Sequence, residues 1–309
     1  MPADVGRDRD PAAIDPIAVR RHFARAAATY DAAAVLQREV GARMAERLDV
    51  VRLAPGAILD AGCGTGEALF ELAARYPDAS RIALDIAMPM IVVARARAEE
   101  RRSLVTRLLA PIRGGGGATP QFACGDIAAL PFGERTFGLV WSNLALQWVS
   151  DLGRAIAELH RVLDTGGLLV FTTFGPDTLK ELRAAFDGVD AHPHVSRFID
   201  MHDVGDLLVH AGFADPVLQM EMIRLTYADA PAMLRDLKAI GATNAARGRG
   251  RGLMGRARWQ HALAALDATR CDGRIAATFE VIYGHAWKAA PKRTAEGHAI
   301  VSLPRKRRP

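Results

Sequence analysis

Three acidic side chains follow short apolar segments in the first half of the chain, at the points where strands would end. Asp60 ends AILD, Asp85 ends RIALD and Asp126 follows QFACG. A glycine-rich turn, AGCGTG, comes directly after Asp60 and precedes a helical pattern. Glycines let a ligand touch the main chain, and bare N–H groups at a helix N-terminus favour an anionic group. The order of strand, turn and helix therefore predicts a ligand site at this turn.

The spacing of the glycines indicates which ligand the turn would bind. They stand at Gly62, Gly64 and Gly66, whereas a dinucleotide-binding turn has the pattern Gly-x-Gly-x-x-Gly. The third glycine comes one residue too early for that pattern, so the spacing favours S-adenosylmethionine over NAD. We group Asp60 with these glycines as a cofactor-binding residue.

Asp85 and Asp126 each have a binding interpretation and a purely structural one. Asp85 lies where an acidic residue can bind both hydroxyls of a ribose. It could instead cap the helix expected at Met88-Pro89, and the two roles would compete. The Asp126 side chain and the N–H of Ile127 could bind the amine and a ring nitrogen of adenine, but Gly-Asp is also a common turn pair.

Strand-like and helical segments alternate from Ala57 to Phe174. Such alternation predicts an α/β, Rossmann-like, doubly wound and mostly parallel sheet. Residues 17–49 predict an N-terminal helical cap with a break near Thr29-Tyr30-Asp31, and residues 279–287 predict a closing strand. The Arg-rich material before that strand predicts a C-terminal helical insertion, and Arg113 to Pro120 a surface loop. The expected organisation is a tail and helical cap (1–50), a cofactor-binding core (51–225), a helical lid insertion with the closing strand (226–290) and a basic tail (291–309).

The composition argues against several classes of protein. Half of the 309 residues are hydrophobic and 24% are charged, as in a globular protein. Cys63, Cys124 and Cys271 form no Cys-x-x-Cys pair, and this absence argues against a zinc site and predicts a reducing cytoplasm. No apolar run could span a bilayer, and the net charge of +5 comes without a nucleic-acid-binding motif. We expect a cytoplasmic protein with no metal, no nucleic-acid partner and no membrane.

Four further segments carry a family resemblance. WSNLALQW follows the fourth predicted strand and contains Asn143, a further candidate for cofactor binding. With the elements above, it resembles the class I S-adenosylmethionine-dependent methyltransferases over about residues 40–175. FTTFGPDTLKELRAAF, HPHVSRFIDMHDVGDLL and LKAIGAT extend the similarity over most of residues 20–290. Together these segments resemble the malonyl-acyl-carrier-protein O-methyltransferases of early biotin synthesis.

The resemblance implies methyl transfer from S-adenosylmethionine to the free carboxylate of a malonyl thioester of acyl carrier protein or coenzyme A. That carboxylate is already ionised at neutral pH, so the reaction needs positioning groups rather than a base. Tyr30 is expected to close over the cofactor and Arg197 to bind the malonyl carboxylate. Tyr30 could instead be a packing residue and Arg197 a surface cation. The arginines between Arg247 and Arg258 would dock the acidic carrier protein or form only a solvated face.

Other functions fit parts of the same pattern. An arginine hydroxylase like the mitochondrial complex I assembly factor shares an FGxDTLxELR-like segment, but LKAIGATN favours the biotin-pathway family. Quinone-pathway methyltransferases share the glycine turn without the later segments. A non-catalytic assembly protein would be expected to have lost the glycine turn or Asp85, and both are present. The oligomeric state stays open.

Overall fold

The computed structural model describes residues 10–109, 119–250 and 252–290. Within these residues, seven strands form one sheet: β1 (Ala57–Ala61), β2 (Ser80–Asp85), β3 (Gln121–Cys124), β4 (Phe137–Ser142), β5 (Leu163–Phe174), β6 (Ala214–Tyr227) and β7 (Ile275–Trp287). Their order across the sheet is β3-β2-β1-β4-β5-β7-β6. Strands β1 to β5 pair in parallel, whereas β7 runs antiparallel to both of its neighbours. The predicted α/β class is confirmed, and the strand order reverses between β1 and β4, where such sheets bind ligands.

Helices pack against this sheet on both of its faces. They are α1 (Pro16–Ala26), α2 (Tyr30–Ala33), α3 (Val35–Glu46), α4 (Ala68–Arg75), α5 (Met88–Leu109), α6 (Leu152–Val162), α7 (Lys180–Phe186), α8 (Met201–His210), α9 (Ala230–Ala239) and α10 (Arg256–Ala268). No helix within the described residues is both long enough and apolar enough to cross a membrane.

The N-terminal helices form the predicted cap, and the chain breaks where the sequence indicates. Helix α1 begins after Asp15, whose carboxylate accepts the N–H groups of Ile17 and Ala18, and Pro16 occupies its first turn. The break separates α1 from α2 and leaves Tyr30 at the start of α2. Asp15 also forms an ion pair of 2.9 Å with Arg249. The cap is therefore tied to the C-terminal part of the chain.

The core lies on both faces of the sheet, as the alternation of side chains along its strands requires. Trp141 on β4 packs in a cluster that also includes residues of α3, α7, α9 and α10. Its neighbour Val140 packs in a second cluster, with residues of α6 and α8. Both side chains are at most 1% exposed. Because β4 is packed on both faces, its carboxyl end and the segment that follows it are held in a fixed position.

Strand β6 has no counterpart among the elements that the sequence predicts. It lies at the edge of the sheet, and its residues alternate between half-buried and exposed positions. Its partner β7 begins at Ile275 rather than at residue 279, because the pairing with β6 extends that far. Helix α7 begins at Lys180, since Leu179 before it has a left-handed backbone with φ of 55°.

The insertion expected before the closing strand contains α9 and α10, which follow β6 and precede β7. Helix α10 contacts α7, where the ring centroids of Trp259 and Phe186 are 6.0 Å apart. The boundary expected between residues 225 and 226 falls within β6, and the division into four segments stays a prediction. Arg251, the loop around Gly114 to Gly117 and the basic tail lie outside the described residues.

Candidate active site

The glycine turn after β1 packs directly against the segment that follows β4. Gly62 donates its N–H to the carbonyl of Leu84 at 2.8 Å. Its φ is 84°, and a Cβ at this position would lie only 2.3 Å from the Cβ of Ala145. Gly64 and Gly66 also have positive φ angles, of 54° and 81°. Only glycine has room at residue 62 and tolerates its positive φ. The main chain of the turn is therefore not covered by a side chain at this position.

Asp85 ends β2 beside this turn, and both of its carboxylate oxygens accept backbone hydrogen bonds. Oδ2 accepts from the N–H of Gly64 at 3.0 Å, and Oδ1 from that of Ala87 at 2.8 Å, just before α5. Burial raises the pKa of Asp85 to about 6, while these N–H groups oppose the rise. The contact with Ala87 supports the start of the helix, as the structural interpretation expects. An ionised carboxylate accepts at about four positions, so this contact leaves room for the hydroxyls of a ligand.

Asp60 is a buried carboxyl group with an unused acceptor. It is 2% exposed, and its Oδ2 makes no hydrogen bond with any described residue. Burial, followed by the charge of Asp85, raises the pKa of Asp60 to about 8. Trp141 Nε1 and Gln37 Oε1 are also buried and find no partner within the described ranges. All three groups line one cavity of about 470 Å³, and buried polar atoms of this kind call for a polar ligand.

A second cavity, of about 70 Å³, adjoins the first at Tyr30, Gly62, Gly64 and Asn143. Its lining includes the other predicted cofactor-binding residues, Asp85, Asp126 and Ile127. The structure therefore brings the cofactor-binding candidates Asp60, Gly62, Gly64, Asp85, Asp126, Ile127 and Asn143 to two joined cavities. Gly66 lies behind them in the same turn, where a Cβ would be 3.1 Å from that of Ala94.

Asp126 and Asn143 also have structural contacts. The Oδ1 of Asp126 accepts the N–H of Ala128 at 2.8 Å, as the turn interpretation expects. Asn143 Nδ2 donates to the carbonyl of Gln37 at 2.9 Å, and its Oδ1 accepts from the hydroxyl of Thr172 at 2.7 Å. Asn143 thus joins the cap to the sheet. Contact of either residue with a cofactor stays a prediction.

Tyr30 lies at the junction of the cavities, over the glycine turn. Its ring is 3.7 Å from the position that a Cβ of Gly64 would occupy. Burial and the nearby charges of Asp85 and Asp31 raise the pKa of Tyr30 above its usual value, so its hydroxyl stays protonated at neutral pH.

A set of polar contacts fixes the start of α2 to the turn. Asp31 accepts a 2.5 Å hydrogen bond from the hydroxyl of Thr65, and its other oxygen lies 3.6 Å from Arg97. Arg97 also forms a 2.7 Å ion pair with Glu67. These contacts hold the cap closed over the glycine turn.

A third cavity, of about 70 Å³, begins at Tyr30 and is mainly apolar. Phe23 and Trp148 form part of its wall, with their rings edge to face at 5.4 Å. The remaining aromatic lining comes from distant parts of the chain: Phe174, Phe198 and Phe279. Its position beside the cofactor-binding candidates makes it a candidate for the substrate site.

Arg197 is not placed in this third cavity. The side chain is exposed, whereas its neighbours Val195 and Ser196 line the cavity wall. The role of Arg197 therefore stays a prediction that requires the side chain to turn inward. Other lining residues, such as Gln37 and Asn244, were not singled out from the sequence. Nothing in a helical pattern indicates that Gln37 of α3 faces the end of β4.

Comparison with known proteins shows the family of the chain. Residues 59–171 match a family model described as a methyltransferase domain. A malonyl-[acyl-carrier protein] O-methyltransferase of Gallionella capsiferriformans is 51% identical over 93% of this chain and 96% of its own. One of Laribacter hongkongensis is 54% identical over 94% and 96%. The fold of the YcgJ protein of Bacillus subtilis is similar, with a TM-score of 0.56 and 15% identity over 82% of this chain and 99% of that one. This S-adenosylmethionine-dependent O-methyltransferase therefore belongs to the family of the malonyl-[acyl-carrier protein] O-methyltransferases.

Proposed function

We propose that the protein transfers a methyl group from S-adenosylmethionine to the free carboxylate of a malonyl thioester. The product is a malonyl methyl ester, which would prime pimeloyl synthesis in biotin biosynthesis. The observation that carries the proposal is the meeting of the cofactor cavities and the apolar cavity at Tyr30. A substrate in the apolar cavity would present one end to the cofactor at that point.

The residues around the glycine turn suit the separate chemical groups of S-adenosylmethionine. The unpartnered Oδ2 of Asp60 suits the ammonium group of the cofactor, and Asp85 suits the ribose hydroxyls. Asp126 and Ile127 would bind the adenine, and Asn143 would hold the cap against the cofactor. When bound, the cofactor supplies an electrophilic methyl group on a sulfonium sulfur.

The protein contributes positioning to the reaction rather than proton transfer. A malonyl carboxylate is ionised at neutral pH, so no general base has to act. Tyr30 keeps its proton and can donate a hydrogen bond at the junction of the cavities. The aromatic wall of the third cavity excludes water and holds the acyl chain in line. Alignment of this kind lowers a barrier by up to about 7–11 kcal/mol in favourable cases.

The carrier of the malonyl group is proposed to be acyl carrier protein, with coenzyme A as the alternative. The family relatives are named for the carrier protein. Arg256 and Arg258 of the insertion helix α10 are exposed and offer a basic surface suited to an acidic protein, whereas Arg249 is paired with Asp15. The free cysteines, Cys63, Cys124 and Cys271, support a reducing, cytoplasmic location.

A comparison of two thioesters tests the substrate class. We expect the protein to release S-adenosylhomocysteine with malonyl-acyl carrier protein but not with acetyl-acyl carrier protein, which lacks the free carboxylate. The measurement is S-adenosylhomocysteine formed per minute with each substrate at equal concentration. Equal release with both, or release with neither, would contradict the proposal.

The role of Arg197 is tested by a conservative substitution. We expect Arg197→Lys to lower kcat/KM for the malonyl thioester about tenfold, because a point charge cannot reproduce a planar two-pronged contact. The affinity for S-adenosylmethionine should stay normal. Arg154→Lys, on the exposed surface of α6, is the matched control. Wild-type turnover by Arg197→Lys would assign the carboxylate to another cation, with Lys238 the next candidate.

A further inference from the structure

A wide basic basin lies at the mouth of the apolar cavity. It has a volume of about 720 Å³, and we define it by its charged and imidazole lining, which consists of His22, Asp190, His192, His194, Arg249 and Arg258. Its residues come from α1, from the segment before α8, from the segment between α9 and α10, and from α10 itself. Elements that are distant in the sequence therefore converge on one concave, cationic surface.

The basic basin and the apolar cavity are neighbours. His194, Thr243 and Asn244 line both of them. A long, flexible substrate with its reacting end at Tyr30 would thus pass through the apolar cavity and emerge at the basin. The groups in the basin would meet a part of the substrate that takes no part in the methyl transfer.

The charges of the basin leave cationic groups available to a ligand. Asp190 is the acidic residue of the defined lining, and it already accepts a 2.9 Å hydrogen bond from His194 Nε2. Arg258 is exposed and forms no ion pair with another described residue. Arg249 is held in place by its ion pair with Asp15. These charges balance, and the positive excess comes from Arg21 and Arg25, whose charges also act on His22 in the basin wall. Arg258 is the most available donor of the lining.

The charges of nearby arginines act on His22, in the same wall. Its Nδ1 is buried and makes no hydrogen bond within the part of the chain that the structure describes. Burial, and then the charges of Arg21, Arg249 and Arg25, lower the pKa of His22. Burial is the larger cause, and the contribution of the three arginines indicates positive charge beside this wall. A bound anion would relieve that repulsion, and a tetrahedral oxyanion offers several acceptors to converging donors.

We propose that the basic basin binds the phosphate of the phosphopantetheine arm through which a thioester substrate is carried. The inference rests on the proposed function, since it assumes that the malonyl group enters through the apolar cavity. The phosphate is common to acyl carrier protein and coenzyme A, so the site would serve either carrier. It acts in substrate binding, at a distance from the reacting atoms.

Binding of two small ligands tests the phosphate site without any turnover. The full-length protein, saturated with S-adenosylhomocysteine, is titrated with 4′-phosphopantetheine and with pantetheine in a calorimeter. We expect the phosphorylated ligand to bind about tenfold more tightly, as one charge-assisted contact provides. Arg258→Gln should remove that difference, and because Arg258 is exposed the variant should fold normally. Arg154→Gln, on α6, should retain it. Equal affinities in the wild type, or equal weakening of both ligands by Arg258→Gln, would overturn the inference.

Steady-state kinetics separate this inference from the proposed function and show which carriers use the basin. Arg258→Gln should raise KM about tenfold for malonyl-phosphopantetheine and leave it unchanged for malonyl-pantetheine, with kcat unaffected. A similar rise in KM of Arg258→Gln for malonyl-coenzyme A and for malonyl-acyl carrier protein would show that the phosphopantetheine phosphate of each carrier binds in the basin. A wild-type protein that methylates no malonyl thioester, yet binds phosphopantetheine more tightly than pantetheine, would contradict the proposed function and support the phosphate site.

Discussion

Replacing Asp85 by alanine should weaken the binding of S-adenosylmethionine about 100-fold. Two hydrogen bonds from ribose hydroxyls to an ionised acceptor contribute about 1.5–3 kcal/mol each, which corresponds to at least that factor. The pKa of Asp60 is about 8 and that of Asp85 about 6, so the wild type should also lose affinity in two steps as the pH falls and each carboxylate is protonated; the step near 6 reports on Asp85. Calorimetric titration between pH 5 and 9 measures both the weakening in Asp85→Ala and this pH dependence.

The control for this variant must separate ligand binding from the integrity of the turn, because Asp85 also accepts from Gly64 and Ala87. Asp85→Asn keeps the shape of the side chain and one acceptor, so it loses one of these two backbone hydrogen bonds where Asp85→Ala loses both. It should keep a normal circular dichroism spectrum, bind the cofactor with intermediate affinity and lose the pH dependence near 6. An unchanged dissociation constant in Asp85→Ala, with the fold intact, would remove the ribose assignment.

Replacing Asp60 by asparagine should have opposite effects on stability and on cofactor binding. In the folded protein the pKa of Asp60 is about 8, well above the value of about 3.9 in an unfolded chain. The folded state therefore holds this proton more tightly, and its stability falls as the pH rises from about 4 to 8. Asparagine has no charge to bury, so Asp60→Asn should be more stable than the wild type by about 1–3 kcal/mol at pH 8. The difference should shrink towards pH 4.

The same substitution removes the carboxylate proposed to bind the ammonium group of the cofactor. Thermal denaturation at pH 8, with and without saturating S-adenosylmethionine, measures both consequences. The wild type should gain a large increase in Tm from the cofactor, whereas Asp60→Asn should start higher and gain little. Full stabilisation of Asp60→Asn by the cofactor would show that Asp60 does not contact it.

The part of the fold nearest the cofactor could be predicted from the sequence because its signals are local. Strands β1 and β2 are apolar runs that end at an aspartate, and the glycine turn follows the first directly. The break at Tyr30 is likewise visible in the helical pattern. Strand β6 could not be predicted in this way, because none of its residues is fully buried. It is defined by pairing with β7, which is separated from it by two helices.

The same distinction between local and distant signals applies to the candidate site. Asp60, Asp85 and the glycines were predicted because strand ends and turns determine where they lie. The apolar cavity could not be predicted, since its walls combine Phe23 of α1, Phe279 of β7 and residues of several loops. Arg197 was selected by residue type within HVSRF, yet Val195 and Ser196 are the residues that face the cavity. Side-chain direction in an irregular segment depends on tertiary contacts that no local pattern records.

The central claim is that the methyl group is added to the malonyl carboxylate oxygen, and the identity of the product tests it most directly. Malonyl-acyl carrier protein is incubated with the protein and S-adenosylmethionine labelled with ¹³C in the methyl group, and the product is examined by NMR. We predict a single new methoxy signal that mild base removes as methanol, leaving malonyl or free malonate. A methyl signal bonded to carbon, nitrogen or sulfur, or a signal that mild base leaves in place, would contradict the account.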